Sequence, residues 1–471
     1  MPRDIGPSPA SPARPDTIAA IATPPGEGAI GIVRVSGPEA ARLAGRVFRS
    51  RGGKPVRELI PRALHHGRVT DPDTGETLDE CLLAVMPAPN SYTGEDVVEI
   101  HAHGGPVSLR AILGLLVDLG ARPAEPGEFT RRAFLNGRMD LLQAEAVADL
   151  IAARSEAGRR AALGHLSGRL SRELEEVWGV LIGVSAQLEA AIDFPDEDIE
   201  VQGADRLAER AEGARARLVS LLDSFRVGRA VREGTPVAIV GRPNVGKSSL
   251  LNLLLREDRA LTSPYPGTTR DTIEETAVIG GLPFRFIDTA GLREPEHPVE
   301  WAGIERARRM VESASMALAV LDASAPLEGA DREIVRELEG LVVIGVLNKS
   351  DLAPAIDPEE AEALFGGNRT VRVSALRGDG LEELESVMVE AALGGGSASE
   401  ELVLTRERHR ERVKAAADAV GAGVESLRAG RSPELTAVDF SEAMDALAGL
   451  LGKTFTEDLL DSIFSEFCIG K

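Results

Sequence analysis

The chain has 471 residues, 43% of them hydrophobic and 27% charged, with a formal net charge of −22; that balance belongs to a globular protein long enough for two to four domains. So acidic a surface repels phosphate backbones, which excludes a general polyanion binder and confines any nucleic-acid contact to a local patch or one shared with a partner. Two cysteines, Cys81 and Cys468, exclude a disulfide framework and fit a reducing compartment, the cytoplasm, and no apolar stretch reaches the length of a membrane span.

Residues 1–16, "MPRDIGPSPASPARPD", read as a disordered tail: they lack the apolar run of a secretory signal, and Asp4 and the prolines spoil a presequence helix. Alternation in "GIVRVSG" and "DVVEIHAHG" predicts strands, and "PVSLRAILGLLVDLG" has helical spacing, so residues 17–137 form an α+β domain. From 138 to 232 the composition turns to Ala, Leu, Glu and Arg in a helical pattern, broken at "DFPDED" and "QGAD". Strands then alternate with helices over residues 233–396, the pattern of a doubly wound α/β domain, which "ALGGGSASEE" ends as a flexible linker. Helical spacing returns over 397–471, so the α/β domain reads as an insertion into one helical bundle.

Chemistry concentrates in the insertion. "GRPNVGKS", Gly241 to Ser248, fills G-x-x-x-x-G-K-[ST] between the strand "VAIV" and a helix. The backbone N–H groups of Asn244, Val245, Gly246, Lys247, Ser248 and Ser249 can surround phosphate oxygens, the Lys247 ammonium can reach the β- and γ-phosphates, and the Ser248 hydroxyl can ligate Mg²⁺. "FRFIDTAGL" ends a strand at Asp288, and Asp288, Thr289, Ala290 and Gly291 stand where a γ-phosphate is sensed and Mg²⁺ is held through water. "VVIGVLNKSD" ends a strand at Asn348, Lys349 and Asp351. A carboxylate at Asp351 can accept from the N1–H and 2-amino groups of guanine, which adenine lacks. "VRVSAL" adds Ser374, Ala375 and Leu376 toward the base, and Thr269 in "TSPYPGTTRD" is the candidate to complete the Mg²⁺ shell.

These four motifs stand in the order of the Ras-like GTPases, to which the domain is similar. Leu292 follows "DTAG" where a Ras-like glutamine would orient water. That departure turns attention to a monovalent cation: the Asn244 amide oxygen lies close to the phosphates, where K⁺ can act as an arginine finger does, although a plain loop-forming role is the alternative.

The flanks carry a closer resemblance. "ATPPGEGAIGIVRVSG", "NSYTGEDVVEIHAHGG", "PGEFTRRAFLNGRMDLLQAEAVADLI", "YPGTTRD", "DTAGLRE", "EAAIDFPDED" and the terminal "FCIGK" resemble the MnmE (TrmE) family of tRNA-modifying GTPases over nearly the whole chain after residue 16. The resemblance implies a homodimer joined through N-terminal domains, and a heterotetramer with the FAD-dependent flavoprotein MnmG (GidA). It implies an aminomethyl-type group built at carbon 5 of the wobble uridine (position 34) of certain tRNAs, with a 5,10-methylene- or 5-formyl-tetrahydrofolate as one-carbon donor. It implies K⁺-dependent pairing of GTPase domains, with K⁺ held by Asn244, Ser263, the Tyr265 carbonyl and Thr268, and Mg²⁺ by Ser248 and Thr269. Glu300 would orient the attacking water. Folate contacts would fall to Arg34, Glu99, Arg138 and Lys471. Ser263 stands where threonine is common and keeps the hydroxyl; Arg138 stands where lysine is common, which is not an interchangeable pair.

Cys468 sits four residues from the end, where prenylation places its cysteine, but Gly470, Lys471 and the lack of a basic run argue against a lipid. The resemblance brings it beside the folate site as a candidate catalytic thiol, a structural or positioning role being the other reading. Weaker features read blandly: residues 193–198 as a solvated acidic cluster, "TRERHRERVK" as an exposed helix face, and His101 and His103 as packing on one strand face rather than a metal pair. A GTP-switch protein of ribosome assembly is the rival reading; the chain has no G-x-x-G clamp in a basic setting. A folate-dependent transferase regulated by its GTPase domain is a third.

Overall fold

The computed structural model describes residues 16–193, 203–255, 275–287, 313–394 and 402–471. Two compact units partition the chain, one formed by residues up to 148 and from 451 onward, the other by residues 149–450.

In the first unit, seven strands form one mixed sheet in the order β3-β4-β5-β6-β2-β1-β7: β1 Ile18–Ile21, β2 Gly28–Ser36, β3 Phe48–Ser50, β4 His65–Thr70, β5 Thr77–Met86, β6 Val97–Gly104 and β7 Arg122–Pro123. The period of two sends Val33 and Val35 of β2, with Val98 and Ile100 of β6, into a core covered by helices α1 (Ala40–Val47) and α2 (Pro106–Asp118). The antiparallel register sets Arg34 directly opposite Glu99, with both side chains on the face away from that core. Pro106 opens α2 at its first position, where a missing N–H costs nothing. Helix α3 (Glu128–Leu135) and the start of α4 (Leu141–Ala152) bury Phe134, Leu141 and Ala144 against Leu460, Ile463, Phe464 and Phe467 of the last helix and its exit. That apolar contact anchors the chain end on this unit: Pro126 bridges Ile469, and the Phe129 N–H donates to the Lys471 carbonyl at 3.1 Å.

In the second unit, helices α5 (Glu156–Leu166), α6 (Arg169–Asp193), α7 (Ala204–Asp223) and α8 (Phe225–Glu233) precede a six-stranded sheet, and α13 (Glu407–Arg428) and α14 (Pro433–Leu451) follow it. Helix α7 packs along α13. Ala208, Ala211 and Ala214 on one and Ala416, Ala417 and Val420 on the other are buried, small enough to let the two axes approach. The helices before and after the insertion thus share a core.

The sheet runs β13-β12-β11-β8-β10-β9, from β8 Thr235–Val240, β9 Glu275–Ile279, β10 Leu282–Phe286, β11 Met316–Asp322, β12 Val342–Asn348 and β13 Thr370–Arg372. Strands β8, β11 and β12 are parallel and buried almost end to end, as expected for strands covered on both faces by α9 (Lys247–Leu254), α10 (Gly329–Arg336), α11 (Pro358–Phe365) and α12 (Leu381–Leu393). The edge departs from simple strand–helix alternation: β9 and β10 pair antiparallel across Gly280 and Gly281. Parallel packing aligns the carboxyl ends of β8, β11 and β12, where open α/β sheets bind ligands. No described helix is long and apolar enough to cross a membrane.

Candidate functional site

Strand β8 delivers residues 241–246 as a loop, and α9 starts at once with Lys247. The Lys247 ammonium donates to the carbonyls of Gly241 and Arg242, both at 2.7 Å, so the loop wraps its own lysine. Arg242 is held in turn by the buried Asp331, Nε to Oδ1 at 2.8 Å, and by Glu328. Gly246 has φ +99°, and a Cβ there would lie 2.1 Å from Asn348 Nδ2. Only glycine fits that close approach.

Asn348 is the latch between the phosphate loop and the base loop. At 2% exposed, it donates through Nδ2 to the Val245 carbonyl at 2.8 Å and accepts at Oδ1 from the Ala375 N–H at 3.0 Å. Two residues beyond Lys349, Asp351 accepts from the hydroxyl of the buried Ser374 at 2.7 Å. That hydrogen bond, the largest influence on it, holds the Asp351 carboxyl below its usual range. A fixed carboxylate facing a loop is the acceptor that guanine's N1–H and 2-amino groups require. The Lys349 ammonium pairs with Asp322 at the end of β11. Burial opposes ionisation of Asp322, but the hydrogen bonds from Lys349 and Ser324 outweigh it and lower its pKa. Asn244 (φ +66°), Ser248 and Ser249 face solvent around the loop, and Leu376 is fully on the surface.

A second cluster lies in the first unit, on the sheet face away from its main core, where Phe129 and Tyr92 pack. Arg34 Nε donates to Glu99 Oε1 at 2.8 Å and Nη1 to the Gly470 carbonyl at 3.2 Å. Its guanidinium lies 5.5 Å from the Tyr92 ring centroid and 5.6 Å from that of Phe129. Glu99 also meets His101 Nε2 at 3.2 Å. Gly470 (φ +93°) is where the tail presses on the sheet, since a Cβ there would lie 2.5 Å from the Ile21 carbonyl. Burial, then the nearby Arg34 charge, depress the pKa of the Lys471 ammonium, with Glu99 opposing. The cluster therefore presents two cations, a carboxylate and a phenol around one tail.

Comparison with known proteins decides the family. A model of the MnmE helical domain matches residues 141–468, and one of the GTP-binding protein TrmE N-terminus matches residues 17–138. The tRNA modification GTPase MnmE of Natranaerobius thermophilus is 45% identical over 457 residues, 97% of this chain and 99% of its own length. The protein of the same name from Moorella thermoacetica is 47% identical over 461 residues, with the same coverage. The chain belongs to the MnmE family of tRNA modification GTPases. A solved G domain, that of the T. maritima FeoB iron transporter, aligns with 34% of this chain and 98% of its own at 26% identity, with a TM-score of 0.26.

Of the residues that MnmE resemblance singled out, Arg34, Glu99 and Lys471 come together, whereas Arg138 is exposed and spends Nε on the Ser91 carbonyl at 3.1 Å. Cys468 is exposed rather than buried; its backbone carbonyl, accepting from Gly127 and Lys471, does the structural work. Ser263, Tyr265, Thr268, Thr269, Asp288, Thr289, Ala290, Gly291 and Glu300 lie outside the described residues, as does the acidic stretch beyond Asp193. His101 and His103 have separate acidic neighbours, Glu99 and Asp79, and no group of metal-ligating side chains occurs among the described residues. "TRERHRERVK" is only partly an exposed face: Arg406 is buried on Asp149 at 2.8 Å and His409 is buried, while Arg410 lies over Phe225. Sequence reading missed Asp322, a polar residue ending a buried strand as Asn348 does, and Tyr92 and Phe129, whose role depends on a distant arginine.

Proposed function

We propose that this chain hydrolyses GTP to drive the modification of the wobble uridine of certain tRNAs, working as a homodimer with an FAD-dependent MnmG (GidA) partner and a tetrahydrofolate one-carbon donor. The observation that carries the nucleotide reading is the Asn348 latch beside a Ser374-oriented Asp351. Lys247, held by loop carbonyls, exchanges them for phosphate oxygens, so its charge is already in position when a nucleotide arrives. The residues fit the ions the family uses: the exposed Ser248 hydroxyl suits Mg²⁺, and the Asn244 amide, raised on a left-handed turn, suits K⁺. Bound cations offset the charge that develops between the β- and γ-phosphates. Ser263, Tyr265, Thr268 and Thr269 would complete those shells, Glu300 would orient water, and Asp288 to Gly291 would sense the γ-phosphate.

For the folate, Arg34 and Lys471 offer charge to a carboxylate-bearing pteridine compound, Glu99 accepts from its ring donors, and Tyr92 gives a flat apolar contact. Arg138 would reach the ligand's outer end. Cys468, exposed beside this tail, stands as the thiol available to the chemistry.

GTP turnover by the full chain in matched KCl and NaCl tests the cation mechanism. Turnover at least about tenfold faster in KCl, with the difference abolished by Asn244→Ala, is expected for a cation acting as an arginine finger. Equal slow rates in both salts would move the weight to an externally activated switch.

A further inference from the structure

Glu99, His101 and His103 share one face of β6, as the period of two requires, and the fold treats the two histidines differently. The His103 side chain is 74% exposed and is committed to Asp79: its Nδ1 meets Oδ1 at 2.7 Å, and its backbone N–H donates to Oδ2 at 2.9 Å. The His101 side chain is 22% exposed and meets the Arg34–Glu99 pair instead, Nε2 to Glu99 Oε2 at 3.2 Å. An ionised carboxylate only accepts, so Nε2 carries the proton and donates. Ile32 of β2 and Leu82 of β5 stand directly opposite His101 on the neighbouring strands and offer apolar side chains. Among the described residues, no other hydrogen bond reaches that ring.

Glu99 needs this second contact. Arg34 Nε holds Oε1 at 2.8 Å, but one point of attachment does not fix the plane of a carboxylate, because the last torsion of a glutamate side chain is broad. With Oε1 held by the arginine and Oε2 by the imidazole, the plane is set, and each oxygen keeps a further acceptor direction. Two fixed acceptors side by side are what a pair of adjacent ring N–H donors requires.

We propose that His101 is a positioning residue of this site: it acts through Glu99, holding the carboxylate so that both oxygens accept from neighbouring N–H donors of a bound pteridine ring. This role rests on the folate reading of the cluster. A packing role between Ile32 and Leu82 makes the opposite demand on residue 101. Packing would accept leucine at least as well as glutamine, whereas positioning requires an N–H donor and favours glutamine.

The test follows binding of 5-formyltetrahydrofolate to the full chain by equilibrium dialysis, for wild type, His101→Leu and His101→Gln, with a melting curve of each protein as a separate reading of the fold. His101→Leu is expected to bind about tenfold more weakly, the size of one hydrogen bond to a charged group, and His101→Gln to recover to within about threefold of wild type. Leucine binding as tightly as wild type, or glutamine binding no better than leucine, overturns the positioning role and leaves the folate reading standing. Absence of binding by wild type overturns the folate reading and this role with it.

Discussion

Asn348→Ala is the most informative single change. Asn348 is 2% exposed and satisfies two backbone groups, the Val245 carbonyl of the phosphate loop and the Ala375 N–H of the base loop. Truncation leaves both without their partner, at about 1–3 kcal/mol each. Even the lower bound, about 2 kcal/mol drawn from the arrangement that binds nucleotide, corresponds to roughly thirtyfold weaker GDP binding. Asn348→Asp sharpens the reasoning. It keeps an acceptor for Ala375 but turns a charged oxygen toward the Val245 carbonyl, so it should bind no better than the alanine variant. Titration with a fluorescent GDP analogue reads the affinity, and a circular-dichroism melt checks that the fold survives. A folded Asn348→Ala protein that binds GDP within about threefold of wild type would refute the latch, because two lost buried hydrogen bonds cannot cost so little.

Other outcomes follow from the same geometry. Gly246→Ala forces a side chain into left-handed backbone and within 2.1 Å of Asn348 Nδ2; GDP affinity should fall at least about tenfold from the backbone strain alone, and an unchanged affinity would show that the loop relaxes freely. Arg34→Ala removes the bonds to Glu99 and the Gly470 carbonyl; amide exchange at Phe129, which donates to Lys471, should quicken about tenfold, and an unaltered rate would mean that the tail docks without it. Asp322 has its pKa lowered from 3.8 in the folded state by Lys349 and Ser324, against burial, so the stability its charge contributes is present above 3.8 and lost as pH falls through the folded value. The melting-temperature gap between wild type and Asp322→Asn should therefore hold from neutral pH down to about 5 and close in acid; a gap that widens on acidification would reverse the sign.

The phosphate loop and the base-reading residues were legible in the sequence because each is contiguous: a strand, a short run of fixed chemistry, a helix or turn. Their coupling was not. That Asn348 reaches Val245, or that Lys349 rests on Asp322, depends on parallel strands brought side by side by hydrophobic packing, and no local spacing encodes it. The Arg34–Glu99 pair shows the intermediate case: alternation predicts both strands, but only the antiparallel register makes the two residues opposite neighbours. Tyr92, Phe129 and Gly470 meet Arg34 from three further stretches of chain. The exposure of Cys468 has a related origin: Phe464 and Phe467 anchor the tail, and the thiol one residue on is exposed.

Nucleoside mass analysis of tRNA incubated with this chain, the flavoprotein partner and a tetrahydrofolate donor tests the central claim most directly. Wild type is run with GTP, and Asp351→Asn with GTP or with xanthosine triphosphate, whose 2-oxo group suits an amide donor where guanine's amino group does not. Modified wobble uridine with wild type and GTP, lost in the variant with GTP by a factor on the order of 10⁴ and restored by xanthosine triphosphate, is the predicted result for a site built around that hydrogen bond. Unmodified uridine with wild type, or a variant that works equally well with GTP, would contradict the account.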